Sequence, residues 1–161
     1  MGRMMKRTMM NAVLLTVACL SLSVPASARP DYSGVWKLDY SKSYLGPMAD
    51  QKTMVLDVTH DDPRLIVTSR YRLAGREESE EMRLLTQGEE MVFVLNGKET
   101  RGHALWFGDH LFLTTTQPIA GIEAKIEELW TLSADGRTLR IHAVVTTPKG
   151  REELLGVFEK Q

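Results

Sequence analysis

Cysteine is nearly missing from this chain: of 161 residues only Cys19 is one. A single thiol cannot form an intramolecular disulfide, and it cannot build a cysteine-rich zinc site or a CxxC redox centre. Charge of one sign is missing as well. With 20 basic and 21 acidic residues, the chain lacks the basic excess that a nucleic-acid surface requires, so no nucleic-acid partner is expected. Long apolar runs are also absent. The best candidate extends from about Ala12 to Val24 and is broken by Thr16, Ser21 and Ser23. It falls short of the ~20 apolar residues of a membrane-crossing helix, so no membrane span is expected. There is no His-x-x-x-His pair, no Gly-x-Ser-x-Gly and no phosphate-binding glycine loop. No catalytic residue, metal ligand or cofactor is therefore nominated, and the chain does not read as an enzyme.

What is present begins with a leader. In MGRMMKRTMMNAVLLTVACLSLSVPASARP, Arg3, Lys6 and Arg7 precede the apolar run, and Ala26-Ser27-Ala28 supplies a small-residue cleavage site. Residues 1–28 are expected to be a secretory signal peptide, placing the product in the periplasm or outside the cell. Cys19, in the context TVAC, offers the alternative of a lipid-modified start. Thr16 is a poor match to the leucine-like residue expected three positions before such a cysteine, which favours Ala28. Loss of three basic and no acidic residues with the leader shifts the formal charge from −1 to −4. The remaining ~130 residues, 29–161, suit one domain with one core, and that core has to hold without a disulfide.

Turn signals recur along this domain: DDPR at 61–64, AGRE at 74–77, TQGEE at 86–90, LNGKE at 95–99, FGDH at 107–110, PIAG at 118–121, SADGRT at 133–138 and TPKGRE at 147–152. Between them lie alternating runs rich in Val, Ile, Leu, Thr and aromatics. Ten strands are predicted, over about 34–40, 52–60, 64–73, 78–86, 90–95, 98–106, 110–117, 121–132, 138–146 and 150–159. Every connection after the first is tight, so neighbouring strands should pair antiparallel in an up-and-down meander. A meander of this length gains by curling until its edges meet, giving an all-β barrel.

GIEAKIEELWTL at 121–132 also carries a helical signal, through Ile122, Ile126 and Leu129. The next residues of the chain decide for a strand. Asp135-Gly136 is a strong hairpin turn, and centring the hairpin there pairs Trp130 with Ile141, Glu128 with Ala143 and Ile126 with Val145. The apolar residues of both strands then share one face, an agreement that a helix does not produce.

Gly34-Val35-Trp36, at the head of the first strand of such a meander, resembles the lipocalin and fatty-acid-binding-protein (calycin) superfamily. The strings SGVWKLDYSKS at 33–43, EELWTLSADGRTLRI at 127–141 and VFEKQ at 157–161 resemble more particularly the small secreted bacterial lipocalin-like proteins. The resemblance implies that the indole plugs the closed end of the barrel while the glycine lets the backbone turn in. Three departures stand out. Where intracellular fatty-acid binders insert a two-helix lid, this chain has YSKSYLGPMADQ, which reads as an Ω-like loop. Where they place a carboxylate-binding Arg-x-Tyr, it has Gly156 and Phe158. The arginine that crosses the tryptophan in lipocalins has no clear equivalent, and Arg151 is the available substitute.

His60, His103, His110 and His142 are scattered and read as surface or barrel-wall residues. The acidic run REESEE at 76–81 lacks the ligand spacing of a calcium loop and reads as a solvated hairpin flank. Glu128 stands out as a carboxylate on an otherwise apolar face. It either meets a partner, a wet cavity or a ligand, or sits hydrated at the rim. The expected activity is non-enzymatic binding of a small hydrophobic molecule inside the barrel by a monomer. The ligand-binding wall is predicted to comprise Ile122, Ile126, Glu128, Trp130, Ile141 and Val145, with small Ala143 and Gly156 leaving room. The alternative is an envelope interaction or structural module with a packed interior and an unknown protein partner.

Overall fold

A computed structural model describes residues 29–46, 53–95, 97–119 and 121–161. The expected leader and residues 47–51 of the expected Ω-like loop lie outside the described residues. Ten strands succeed one another: β1 (Gly34–Leu38), β2 (Val55–Asp61), β3 (Arg64–Leu73), β4 (Arg76–Leu85), β5 (Met91–Leu95), β6 (Lys98–Phe107), β7 (His110–Ile119), β8 (Ile122–Leu132), β9 (Thr138–Thr147) and β10 (Gly150–Lys160). They form one antiparallel sheet in the order β4-β3-β2-β1-β10-β9-β8-β7-β6-β5, so the expected meander is extended by the pairing of β1 with β10. β1 ends two residues earlier than predicted. The reason is local: the Asp39 side chain accepts from the Ser41 backbone at 3.1 Å and its hydroxyl at 2.6 Å, which turns the chain into a short 3-10 segment, Tyr40–Lys42.

Curling brings β4 and β5 side by side without a backbone ladder between them among the described residues. Among the described residues the seam is stapled at one end. There Gln87 pairs with Leu105 and the Gly88 backbone donates to the Ala104 carbonyl at 2.8 Å, while the Thr86 backbone, bonded to the Pro63 carbonyl at 2.8 Å, carries the β3–β4 ladder up to this point. Elsewhere both edges lack ladder partners among the described residues, and the outward side chains of β5, Val92 and Val94, are 57% and 65% exposed.

The stapled end is also the plugged end. The indole of Trp36 is completely buried and donates from Nε1 to the Tyr32 carbonyl at 2.9 Å. Tyr32, equally buried, crosses the barrel and donates its hydroxyl to the Trp130 carbonyl at 2.9 Å. Loss of hydration pushes its phenol pKa up to about 12, so it remains a donor. Around these rings pack Leu56, Val58, Leu65, Val67, Leu111 and Leu139, all in one buried cluster. Gly34 is needed where it stands: its φ is +136°, and a Cβ there would lie 2.7 Å from Lys160 Cε. The tryptophan plug expected from Gly34-Val35-Trp36 is thus present. The cation above it is different from the one expected. Lys160 Nζ sits 5.1 Å from the Trp36 ring centre, whereas Arg151, beside the β9–β10 turn, pairs with Glu153 at 3.2 Å.

Candidate ligand-binding site

Strand alternation assigns an inward face to each strand, and the packed cluster fixes which face that is. On β8 the even-numbered residues point in, and on β9 the odd-numbered ones. The ladder pairs Trp130 with Ile141, Glu128 with Ala143 and Ile126 with Val145, the register predicted from Asp135-Gly136. Ile122, Ile126, Glu128, Trp130, Ile141 and Val145 therefore share one inward face.

That face divides along its length. Trp130 and Ile141 belong to the packed cluster, 2% and 8% exposed, and so line no open space. Ile122, Ile126, Glu128 and Val145 lie further toward the opposite end and are only half-buried. β8 and β9 are flanked by partners on both sides, so an inward side chain there keeps accessible surface only if water-sized space lies inside the barrel beside it. Ala143, opposite Glu128, is buried. Gly156 does not leave the expected room, because a Cβ at that position would meet the Phe158 ring at 2.7 Å. The phenyl group already occupies the space the glycine vacates.

Further wall residues come from strands that the sequence did not nominate. Ser69 and Tyr71 on β3, Glu78, Glu80 and Met82 on β4, and Phe93 on β5 share the inward phase and are half-buried. Met82 and Phe93 pack against the core from above. Phe93 can lie across β6 because Gly102 has no side chain: a Cβ there would be 3.3 Å from the Phe93 ring. The Tyr71 hydroxyl donates to the Glu80 carboxylate. REESEE is accordingly a solvated flank on one face only. Glu77 and Glu81 are exposed, while Glu78 and Glu80 face the interior. The signal was available in the alternation of Glu78, Glu80, Met82 and Leu84, where the last two are plainly core residues.

Glu128 is the most constrained polar group of this wall. One carboxylate oxygen, Oε2, accepts from the Trp130 indole at 2.8 Å, so its partner is neither an arginine nor rim water alone. Burial pushes its carboxyl above the ordinary pKa, opposed by the indole hydrogen bond. At the mouth, the connection after β1 bridges to β10 through Tyr44 and Leu155. Beside it lies an open cleft of about 560 Å³ lined by Tyr44, Gly46, Arg151, Glu152, Glu153 and Leu154.

Solved structures with the same architecture include a secretory abundant heat soluble protein from Ramazzottius varieornatus, with a TM-score of 0.58 and 11% identity over 80% of this chain and 94% of that one. The calycin fold is established by this match and its companions. A zebrafish ileal bile acid-binding protein complexed with cholic acid superimposes with a TM-score of 0.55 and 15% identity over 81% and 98% of the two chains. For a Schistosoma mansoni fatty acid binding protein complexed with arachidonic acid the values are 0.52, 14%, 81% and 96%. Neither a protein-family model nor a curated protein matches the sequence. Gly156 and Phe158, the residues that depart from the Arg-x-Tyr pattern, are both buried in this barrel, and no group of three or more His, Cys, Asp or Glu among the described residues could hold a metal ion.

Proposed function

We propose that this calycin barrel is an exported, non-enzymatic binding protein that holds a small, largely apolar molecule in the open half of its interior. The observation that carries the reading is the half-buried state of Ile126, Glu128 and Val145, inward residues on strands with neighbours on both sides. Apolar walls with a few placed polar groups are what small-molecule sites consist of. The similar structures whose names include bile acid-binding or fatty acid binding support the reading at the level of fold. The absence of the Arg-x-Tyr clamp turns it away from a fatty-acid carboxylate held in the family's usual manner.

Native mass spectrometry of protein purified gently from its own host tests the proposal by looking for a co-purifying molecule, followed by titration with an environment-sensitive lipid dye. Binding should weaken by about tenfold or more in Val145→Trp, whose indole fills the space beside Ile126. Ile141 is a poorer site for this substitution, because it already belongs to the packed core. If neither ligand nor dye is retained, the barrel is an interaction or structural module. Export is tested on the same material: an intact mass beginning at Arg29 supports the secretory leader, and a lipidated Cys19 start makes the protein membrane-anchored.

A further inference from the structure

Among the described residues, the charged side chains facing the middle of the interior are acidic. Glu128 on β8 and Glu78 and Glu80 on β4 occupy inward, half-buried positions, and Glu152 on β10 lies at the mouth beside the open cleft. The described bases of the same inward phase stand at the ends of the barrel. Arg76 and Lys98 are exposed beside hairpin turns, and Lys160 covers Trp36 at the plugged end. Among the described residues, no lysine or arginine faces the middle of the lumen.

Glu128 shows what this arrangement leaves unsatisfied. Its Oε2 is fixed by the Trp130 indole, and Trp130 is in turn held in the buried cluster. Its second oxygen receives no hydrogen bond from the described residues, yet it lies against accessible space inside an apolar wall. An ionised carboxylate in such surroundings is costly without a counter-charge. Across the lumen, the Glu80 carboxylate accepts from the Tyr71 hydroxyl. Resting on the reading of the open half as a ligand site, we infer that the ligand is an apolar body bearing a protonated amine, with the ammonium placed against Glu128 and the apolar part against Ile126, Val145 and Phe93. A fatty-acid carboxylate would meet like charge in the same position.

Isothermal titration of the purified protein with decylammonium, decanol and decanoate tests this. Decanol reports the apolar lumen alone. Decylammonium should bind about tenfold or more tighter than decanol, the gain that a charge-assisted hydrogen bond brings, and decanoate should bind most weakly. Glu128→Gln should abolish the preference for the amine over decanol. A second measurement uses the unsubstituted protein and so does not depend on the folding of the variant: the ratio of amine to alcohol affinity should rise with pH as the carboxyl ionises. Decanol binding without preference for the amine, a preference that survives Glu128→Gln, or a ratio that is flat with pH overturns the amine assignment and leaves the lumen reading intact. Failure of all three probes to bind overturns the lumen reading and the inference with it.

Discussion

The two ends of this barrel are made from the same ten strands and solve opposite problems. At the plugged end, polar groups are tied to one another in and around a packed cluster. Tyr32 bonds to Trp130, Trp36 bonds to Tyr32, and Asp62 accepts from Thr86, from the Trp106 indole at 2.9 Å and from Arg29 at 2.9 Å. Those hydrogen bonds, Thr86 first, hold the Asp62 carboxyl below its ordinary pKa. In the open half the wall is apolar with isolated acids, and side chains retain accessible surface. One end is organised to hold the fold and the other to leave a volume unfilled. The two ends should respond differently to substitution and to pH.

The largest contrast is expected from the plug. Trp36→Ala should cost about 3–5 kcal/mol in chemical denaturation, because it opens a cavity where three strands and the Tyr32 segment meet, and no disulfide holds the barrel together. A negligible change would mean that the plug is not the stabilising end. Gly156→Ala is a smaller intrusion between the two regions. Its methyl strikes the Phe158 ring, and a loss of about 1–3 kcal/mol should be seen in the same assay.

The pH responses have opposite signs. The His60 side chain is only 4% exposed, and its Nδ1 accepts from the Tyr32 backbone at 3.3 Å, which requires that nitrogen unprotonated. Burial pushes the imidazole below its ordinary value, against the opposing attraction of Asp31, Asp62 and Asp61. The unfolded chain therefore takes up this proton first. The corresponding stability is present above the unfolded value of about 6.5 and is lost as pH falls from there toward the lower folded value. Melting temperatures should decline on acidification through that window, and His60→Asn should flatten the decline. An unchanged slope in the variant would remove His60 from the account.

Glu128 supplies the smallest effect and the reverse sign. With its carboxyl raised in the folded state, the folded chain holds the proton longer than the unfolded one. Its contribution is most favourable below the unfolded value of about 4.3 and declines as pH rises toward the folded value. Without ligand, Glu128→Gln should therefore melt slightly above the unsubstituted protein at neutral pH and show no advantage near pH ~4. A variant that melts lower at neutral pH would mean that the ionised carboxylate is already compensated.

Much of this molecule was legible along the chain because strands and tight turns are local. The glycine-bearing turns mark where strands end, and Asp135-Gly136 fixes the β8–β9 register because a one-residue slip would turn both apolar faces outward. The Gly34-Val35-Trp36 plug was legible for the same reason, since backbone freedom and a large ring are needed within three residues. Alternation in β4 already held Glu78 and Glu80, but their charge argued for solvent more strongly than their phase argued for the interior. Local reading could not reach which residues meet across the barrel. Lys160, rather than Arg151, covers Trp36 because β1 pairs with β10, and Phe158 fills the space left by Gly156 because of the direction its ring takes. The sequence by itself determined the strands, their turns and the shared inward face of β8 and β9, because these arise from backbone geometry over a few residues. Only the tertiary structure decided where that face is packed and where it is open, because an unfilled volume depends on all ten strands together.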